Sequence, residues 1–206
     1  MIRAFVAVEL PAPLKQALTQ VQAEARNRLL REQSPGMRIQ WVRPDSIHLT
    51  LKFLGDIPED HVDALRSVVG QAVAPLAPFS IAVAGLGVFP DLRAPRVLWV
   101  GLSSLSSEGS PATALAHLAA TVERCVEELG YPPESRAFNA HLTMARIKEG
   151  SKEVGRALAR LGLLDGDVRL GQLDVRTMAL IRSELRPSGS VYTKLWEVPL
   201  GTARQG

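Results

Sequence analysis

The chain has 206 residues, room for one large domain or two lobes sharing a groove, with ample length for a packed core. Hydrophobic residues make up 46% and charged residues 22%, a globular balance that argues against a disordered tail protein. Lys plus Arg is 24 against 21 Asp plus Glu; the net charge of +3 admits an anionic ligand but is far from the basic coat needed to wrap duplex.

Residues 3–10 alternate as a strand, with Ala4, Val6, Val8 and Leu10 on one face and Phe5, Ala7 and Glu9 on the other. Glu9 inside this apolar opening is unlike a signal peptide. Pro11 and Pro13 open a helix carrying Leu14, Leu18, Val21 and Ala25 at three- and four-residue spacing, broken at Ser34-Pro35-Gly36. Strands follow over 38–42 and 47–54 around Arg43-Pro44-Asp45-Ser46. A second helix spans about 58–73, with Glu59 and Asp60 in its first turn, where the helix dipole favours acids. Strands over 79–89 and 96–102 come next; the first is the longest charge-free run between turn signals and too short to cross a bilayer.

Ser103 to Pro111 reads as a linker, and a helix then runs to about Leu129, stopped by Gly130-Tyr131-Pro132-Pro133. It holds Cys125, the single cysteine, which rules out an intramolecular disulfide framework and suits a reducing compartment. Residues 139–148 read as a strand, 151–163 as a short helix, and 167–185 and 191–200 as closing strands. This order lacks the strict alternation of a doubly wound sheet and predicts an α+β architecture, antiparallel sheets with helices packed outside them.

Two segments repeat: His48-Leu49-Thr50-Leu51 and His141-Leu142-Thr143-Met144, 93 residues apart. With 4 His, 29 Leu and 8 Thr in the chain, two His-Leu-Thr matches arise by chance in roughly 2 of 10,000 such compositions. Side chains alternate along a strand, so each copy presents an imidazole and a hydroxyl on one face and buries two aliphatic residues on the other. If the two halves pack as a pseudo-twofold pair, both His/Thr sets face one cleft. Two imidazoles, one protonated and one neutral, equip such a cleft for general acid and general base work on a phosphorus centre. The hydroxyls can donate to the non-bridging oxygens, whose charge grows in the transition state. Other readings remain open: polar ends of half-buried strands, or a metal site. Against the metal stand the absence of His-x-His, of His-Glu-x-x-His and of any cysteine cluster.

Trp41-Val42-Arg43-Pro44 leading into His48-Leu49-Thr50-Leu51-Lys52-Phe53-Leu54-Gly55, together with His141-Leu142-Thr143-Met144-Ala145-Arg146 and the opening Arg3-Ala4-Phe5-Val6-Ala7-Val8, resembles the two-histidine phosphoesterases. The branch is that of the RNA 2′,3′-cyclic phosphodiesterases, also called 2′-5′ RNA ligase-like; Ser183 to Pro187, Tyr192 and Leu195 fit it too. The resemblance covers nearly the whole chain and implies one domain over 1–206, built of two pseudo-symmetric lobes around a central groove. It implies metal-independent, cofactor-free hydrolysis of 2′,3′-cyclic phosphate ends to 2′-phosphates, and sometimes reversible 2′-5′ joining. His48 would protonate the departing 3′ oxygen and His141 would activate water, although a reversible reaction exchanges these roles. Thr50, Thr143 and Arg146 would hold the phosphate.

Strict alternation gives Lys52 the parity of His48 and Thr50, so it is expected to line the groove and bind phosphate, or else to be a solvated strand-end lysine. Arg146 has the opposite parity to His141, and its role requires a bulge near Ala145. Phe5 is placed either as a groove wall stacking on a base or in the core. His61 and His117 read as surface residues, Cys125 as a structural thiol, and Gly85-Leu86-Gly87 as a strand bulge rather than a dinucleotide fingerprint. Arg93, Arg96, Arg182 and Arg186 are a candidate rim for steering RNA. The expected protein is cytoplasmic and monomeric, with RNA ends or nucleoside 2′,3′-cyclic phosphates as ligands and neither membrane nor protein partner. A non-catalytic RNA-end binding module and a metal-dependent phosphohydrolase are the competing readings.

Overall fold

The computed structural model describes residues 1–32, 36–103, 111–186 and 189–201, with the side chains of 111 and 112 excepted. The break at Ser34-Pro35, the linker over 104–110 and Pro187 lie outside the described residues. In chain order the elements are β1 (Ile2–Glu9), α1 (Ala12–Arg31), β2 (Arg38–Trp41), β3 (His48–Ile57), α2 (His61–Val73), β4 (Phe79–Phe89), β5 (Val97–Ser103), α3 (Pro111–Glu127), β6 (His141–Glu149), α4 (Ser151–Arg160), β7 (Arg169–Val175), β8 (Thr177–Arg186) and β9 (Gly189–Pro199). The closing stretch 167–185 is divided at Arg176, where the chain leaves one sheet for the other.

Every strand pairing is antiparallel. One sheet has the order β3-β1-β8-β9 and the other β2-β6-β5-β4-β7. Setting β3 on β6 and β1 on β5, the first order maps onto β6-β5-β4-β7, and β2 is an added edge strand. The sheets are thus two copies of one four-stranded arrangement, as the repeated His-Leu-Thr segments demand. The fold is α+β, with two antiparallel sheets in two lobes and the helices outside.

Burial follows from alternation. Ala4, Val6 and Val8 of β1, Leu49 and Leu51 of β3, Leu98 and Val100 of β5 and Leu142 and Met144 of β6 point into one continuous core. The helices complete it with Leu14 and Leu18 of α1, Leu65 and Val69 of α2, and Leu118 and Val122 of α3. The odd-numbered residues on the opposite face of β1 belong to a small separate cluster, Phe5 and Ala7 with Ala179, Ile181 and the partly buried Tyr192. Trp196 ties α2 to this sheet, its Nε1 donating to the Val62 carbonyl at 3.0 Å.

The glycine cluster marks a bulge, as its sequence suggested. The β4–β5 register skips Gly85, which has φ of 75° and donates its N–H to the Val168 carbonyl at 2.8 Å. Gly87 has a different task. A Cβ there would lie 2.2 Å from the Trp99 indole, which lies over it and leans towards Gly101. The missing side chain is what lets that ring lie flat on the sheet beside Thr143, its neighbour in register. Gly87→Ala is therefore expected to displace the indole and to cost about 1–3 kcal/mol, the usual penalty of overpacking. Urea unfolding measures it, and an unchanged midpoint would show that the ring shifts freely.

Candidate active site

The two motif strands have one burial pattern over nine residues: His half-buried, Leu buried, Thr half-buried, then two buried, one exposed, one buried and two exposed. Strict alternation cannot produce two adjacent buried positions. The cause is a β-bulge in each copy at the third residue after the histidine. In β3 the pairing passes from Ala7↔Thr50 to Val6↔Lys52 and leaves Leu51 unpaired with β1. In β6 it passes from Trp99↔Thr143 to Leu98↔Ala145 and leaves Met144 unpaired with β5. Parity is reversed beyond each bulge.

This reversal decides two of the expected site residues. Arg146 comes onto the face of His141 and Thr143, through the bulge its position requires. Lys52 does not share the face of His48. It is turned inward to 4% exposure, where its ammonium donates to the Glu123 carboxylate at 2.6 Å and the Pro132 carbonyl at 2.7 Å. The phosphate-binding expectation for Lys52 is corrected accordingly: strict alternation ignored the same extra residue that Arg146 demanded. Phe53, the counterpart of Arg146, is turned outward instead and is 58% exposed. Phe5 is only 3% exposed, and its ring is stacked on His48, with centroids 4.5 Å apart at 25°. With its face taken by the imidazole, Phe5 walls His48 and is no platform for a base.

The histidines are held alike. His48 Nδ1–H donates to the Ser46 carbonyl at 3.0 Å, and His141 Nδ1–H donates to the Asn139 carbonyl at 2.7 Å. In each case the acceptor lies two residues earlier, at the turn entering the strand. A carbonyl only accepts, so the bond puts the proton on Nδ1 and leaves Nε2 as the ring nitrogen without that partner. Around His48 stand Phe5 and the edge-on ring of Tyr192 at 5.1 Å; Phe89 meets His141 edge-on at 5.0 Å. Thr50 and Thr143 are half-buried on the same faces as their histidines.

The lobes meet at this point. Strands β3 and β6 are in contact, and Arg146 on β6 is close enough to bear on the protonation of His48 on β3. Burial pushes the His48 imidazole from its usual 6.5 down to about 4. The Ser46 carbonyl and Glu9 pull upward, while the Arg146 charge lowers it further. His48 therefore stands neutral at pH 7 in the ligand-free groove.

Three other cations of the sheet that carries His48 are already engaged. Lys194 donates to Glu9 at 2.7 Å and Glu197 at 2.8 Å, which raises its pKa, and Arg182 and Arg186 both pair with Glu184. Among the described residues Arg146 has no carboxylate partner and remains available to an anion. His117 is exposed, whereas His61 is not merely a surface residue: its Nδ1 is 2.8 Å from the Tyr131 hydroxyl. Cys125 is buried and pushed up to about 11 by burial and by Glu128, unlike a nucleophile. Among the described residues no three His, Cys, Asp or Glu side chains gather as metal ligands, and no helix is long and apolar enough to cross a membrane.

Phe53, Phe89, Trp99 and Tyr192 are the groove residues missed in reading the sequence. Phe53 was open to discovery, because aligning the two motifs sets it against Arg146.

Paired histidines on bulged strands, in two lobes of the same topology, define a two-histidine phosphoesterase. The family model for LigT-like phosphoesterases matches residues 8–99 and 106–192, and the chain belongs to that family. A protein of Methanothermobacter thermautotrophicus named RNA 2′,3′-cyclic phosphodiesterase is 31% identical over 194 residues, covering 94% of this chain and 96% of its own. One of Aquifex aeolicus with the same name is 36% identical over 179 residues, covering 86% and 90%. Among solved structures, TT0787 of Thermus thermophilus superposes with a TM-score of 0.75 at 30% identity, over 98% of this chain and 100% of that one.

The low His48 pKa has a consequence for stability. The unfolded chain takes up the proton near pH 6.5 and the folded chain only near 4, so His48 favours unfolding progressively as pH falls through that window. The wild type is expected to lose more stability between pH 6.5 and 4 than His48→Gln does, compared by urea unfolding midpoints. Parallel curves would contradict the burial of this imidazole.

Proposed function

We propose that this groove hydrolyses RNA or nucleoside 2′,3′-cyclic phosphates to 2′-phosphates by paired-histidine catalysis. The observation that carries the reading is the twice-repeated histidine whose Nδ1–H is bound to the carbonyl two residues back, leaving Nε2 free in both lobes. The names of the relatives, cyclic phosphodiesterases along nearly the whole chain, support the same chemistry.

Water attacks phosphorus opposite the 3′ oxygen, and His141 Nε2 takes its proton. The bond from phosphorus to the 3′ oxygen breaks, and that oxygen takes a proton from His48 Nε2. The product is a 2′-phosphomonoester with a free 3′-hydroxyl; His141 has gained the proton His48 lost, and solvent restores both. Arg146, Thr50 and Thr143 bind the non-bridging oxygens, where charge accumulates. His48 is neutral in the empty site, so it takes up a proton from solvent as the substrate binds: the anionic phosphate offsets Arg146 and accepts from Nε2. Phe53, exposed beyond the first bulge, offers a ring on which the base can stack. Run in the same direction with an RNA 5′-hydroxyl in place of water, the same groups join ends through a 2′-5′ linkage, and the reverse reaction cleaves it.

The depressed pKa of His48 favours one further labelling, with His48 as base and His141 as acid. A substrate whose leaving group needs no proton separates the two: the variant lacking the acid keeps turnover of that substrate and the variant lacking the base does not.

Turnover of a 2′,3′-cyclic-phosphate oligonucleotide is expected to survive EDTA and to end in 2′-phosphate. His48→Ala and His141→Ala should each lower kcat by about 10²–10⁴-fold, the usual weight of a general acid or base. Circular dichroism should show both variants folded. Full activity in either variant, 3′-phosphate products, or silence in EDTA would contradict the proposal; binding of the oligonucleotide without turnover would favour an RNA-end binding module.

A further inference from the structure

The bulges that aim Arg146 and Phe53 are themselves held from outside their sheets. Gln22 lies on the apolar stripe of α1 between Leu18 and Ala25 and is 7% exposed. A buried amide is costly unless its donors find partners. Here Nε2 donates to the carbonyls of Val42 and Met144, each at 2.9 Å. Met144 is the residue β6 leaves unpaired with β5, and its carbonyl also accepts from the Val42 N–H at 2.9 Å. Two donors thus pin the bulge that turns Arg146 into the groove.

The other bulge has a different lock of similar effect. Just past Leu51, the buried ammonium of Lys52 is held by Glu123 of α3 and by the Pro132 carbonyl. Glu123 is fixed in turn by the Glu134 N–H at 2.5 Å. The helix that follows β1 therefore braces the motif strand of the second half, and the helix that follows β5 braces that of the first. Neither lock reaches the groove face.

We propose that Gln22 and the Lys52–Glu123 pair are positioning residues. Each holds one bulge, Gln22 acting through Arg146 and Lys52–Glu123 acting through Phe53. The inference rests on the cyclic phosphodiesterase reading, whose assay supplies its readout.

Double-mutant cycles test it, because residues acting as a unit lose additivity and independent sites keep it. Gln22→Met keeps length and burial without donors. It should lower kcat/KM for a 2′,3′-cyclic-phosphate substrate tenfold or more in the wild-type background, but less than twofold once Arg146→Ala is present. Combined with Phe53→Ala its effect should multiply in full. Lys52→Met should show the reverse pattern, coupled to Phe53→Ala and independent of Arg146→Ala. A merely structural role predicts multiplication in all four combinations, and that result overturns the proposal, as does a Gln22→Met protein of wild-type activity. If Gln22→Met does not fold, Gln22→Asn, with its amide drawn back by one methylene, takes its place under the same criteria. Arg146→Ala and Phe53→Ala proteins with unchanged turnover would overturn the groove reading together with this one; losses in those single variants with fully multiplicative cycles overturn this one alone.

Discussion

An unpaired residue three positions after each histidine controls the layout of the groove. A strand that kept its ladder would send Arg146 into the core and bring Lys52 out. With Leu51 and Met144 bulged, a lysine is buried against a carboxylate, a phenylalanine is exposed, and a guanidinium comes beside an imidazole of the other lobe. A desolvated ammonium is tolerated here only because Glu123 and the Pro132 carbonyl satisfy it. The bulge and its lock are therefore one structural unit in each half.

The two halves share a plan but not a surface, and the difference suits an asymmetric substrate. At equivalent places beyond the bulges stand Phe53 and Arg146, one an apolar ring and the other a cation. On the neighbouring strands Ala7 in one lobe is matched by Trp99 in the other, each in register with its motif threonine. One histidine is stacked on Phe5 and driven neutral by burial; the other meets only the edge of Phe89. A duplicated scaffold thus offers two imidazoles in different surroundings, which acid and base roles require.

Much of this was legible in the residues. Alternation in 3–10 and the stripe through Leu14, Leu18 and Ala25 located β1 and α1, because half-buried elements write their period into the sequence. The repeated His-Leu-Thr revealed the duplication, and the parity conflict at Arg146 revealed its bulge. Lys52 was misplaced because the same slip was not applied to both copies, although the alignment of the repeats called for it. Phe5 stayed open between groove wall and core for another reason: period 2 names the face, not whether a neighbour already covers it. The partners of Gln22 were beyond reach, since a bond between residues 22 and 144 depends on how α1 crosses to the opposite sheet. A polar residue on an apolar stripe was the one available hint.

The claim beneath this account is that both imidazoles work on a single phosphorus atom. Titration of the ¹⁵N-histidine-labelled protein with a nucleoside 2′-phosphate, followed by NMR, tests it most directly. The Nε2 resonances of His48 and His141 should shift together along one saturation curve at one ligand per chain, with His48 gaining a proton as the anion binds. Shifts confined to one histidine, or two curves with separate midpoints, would contradict it.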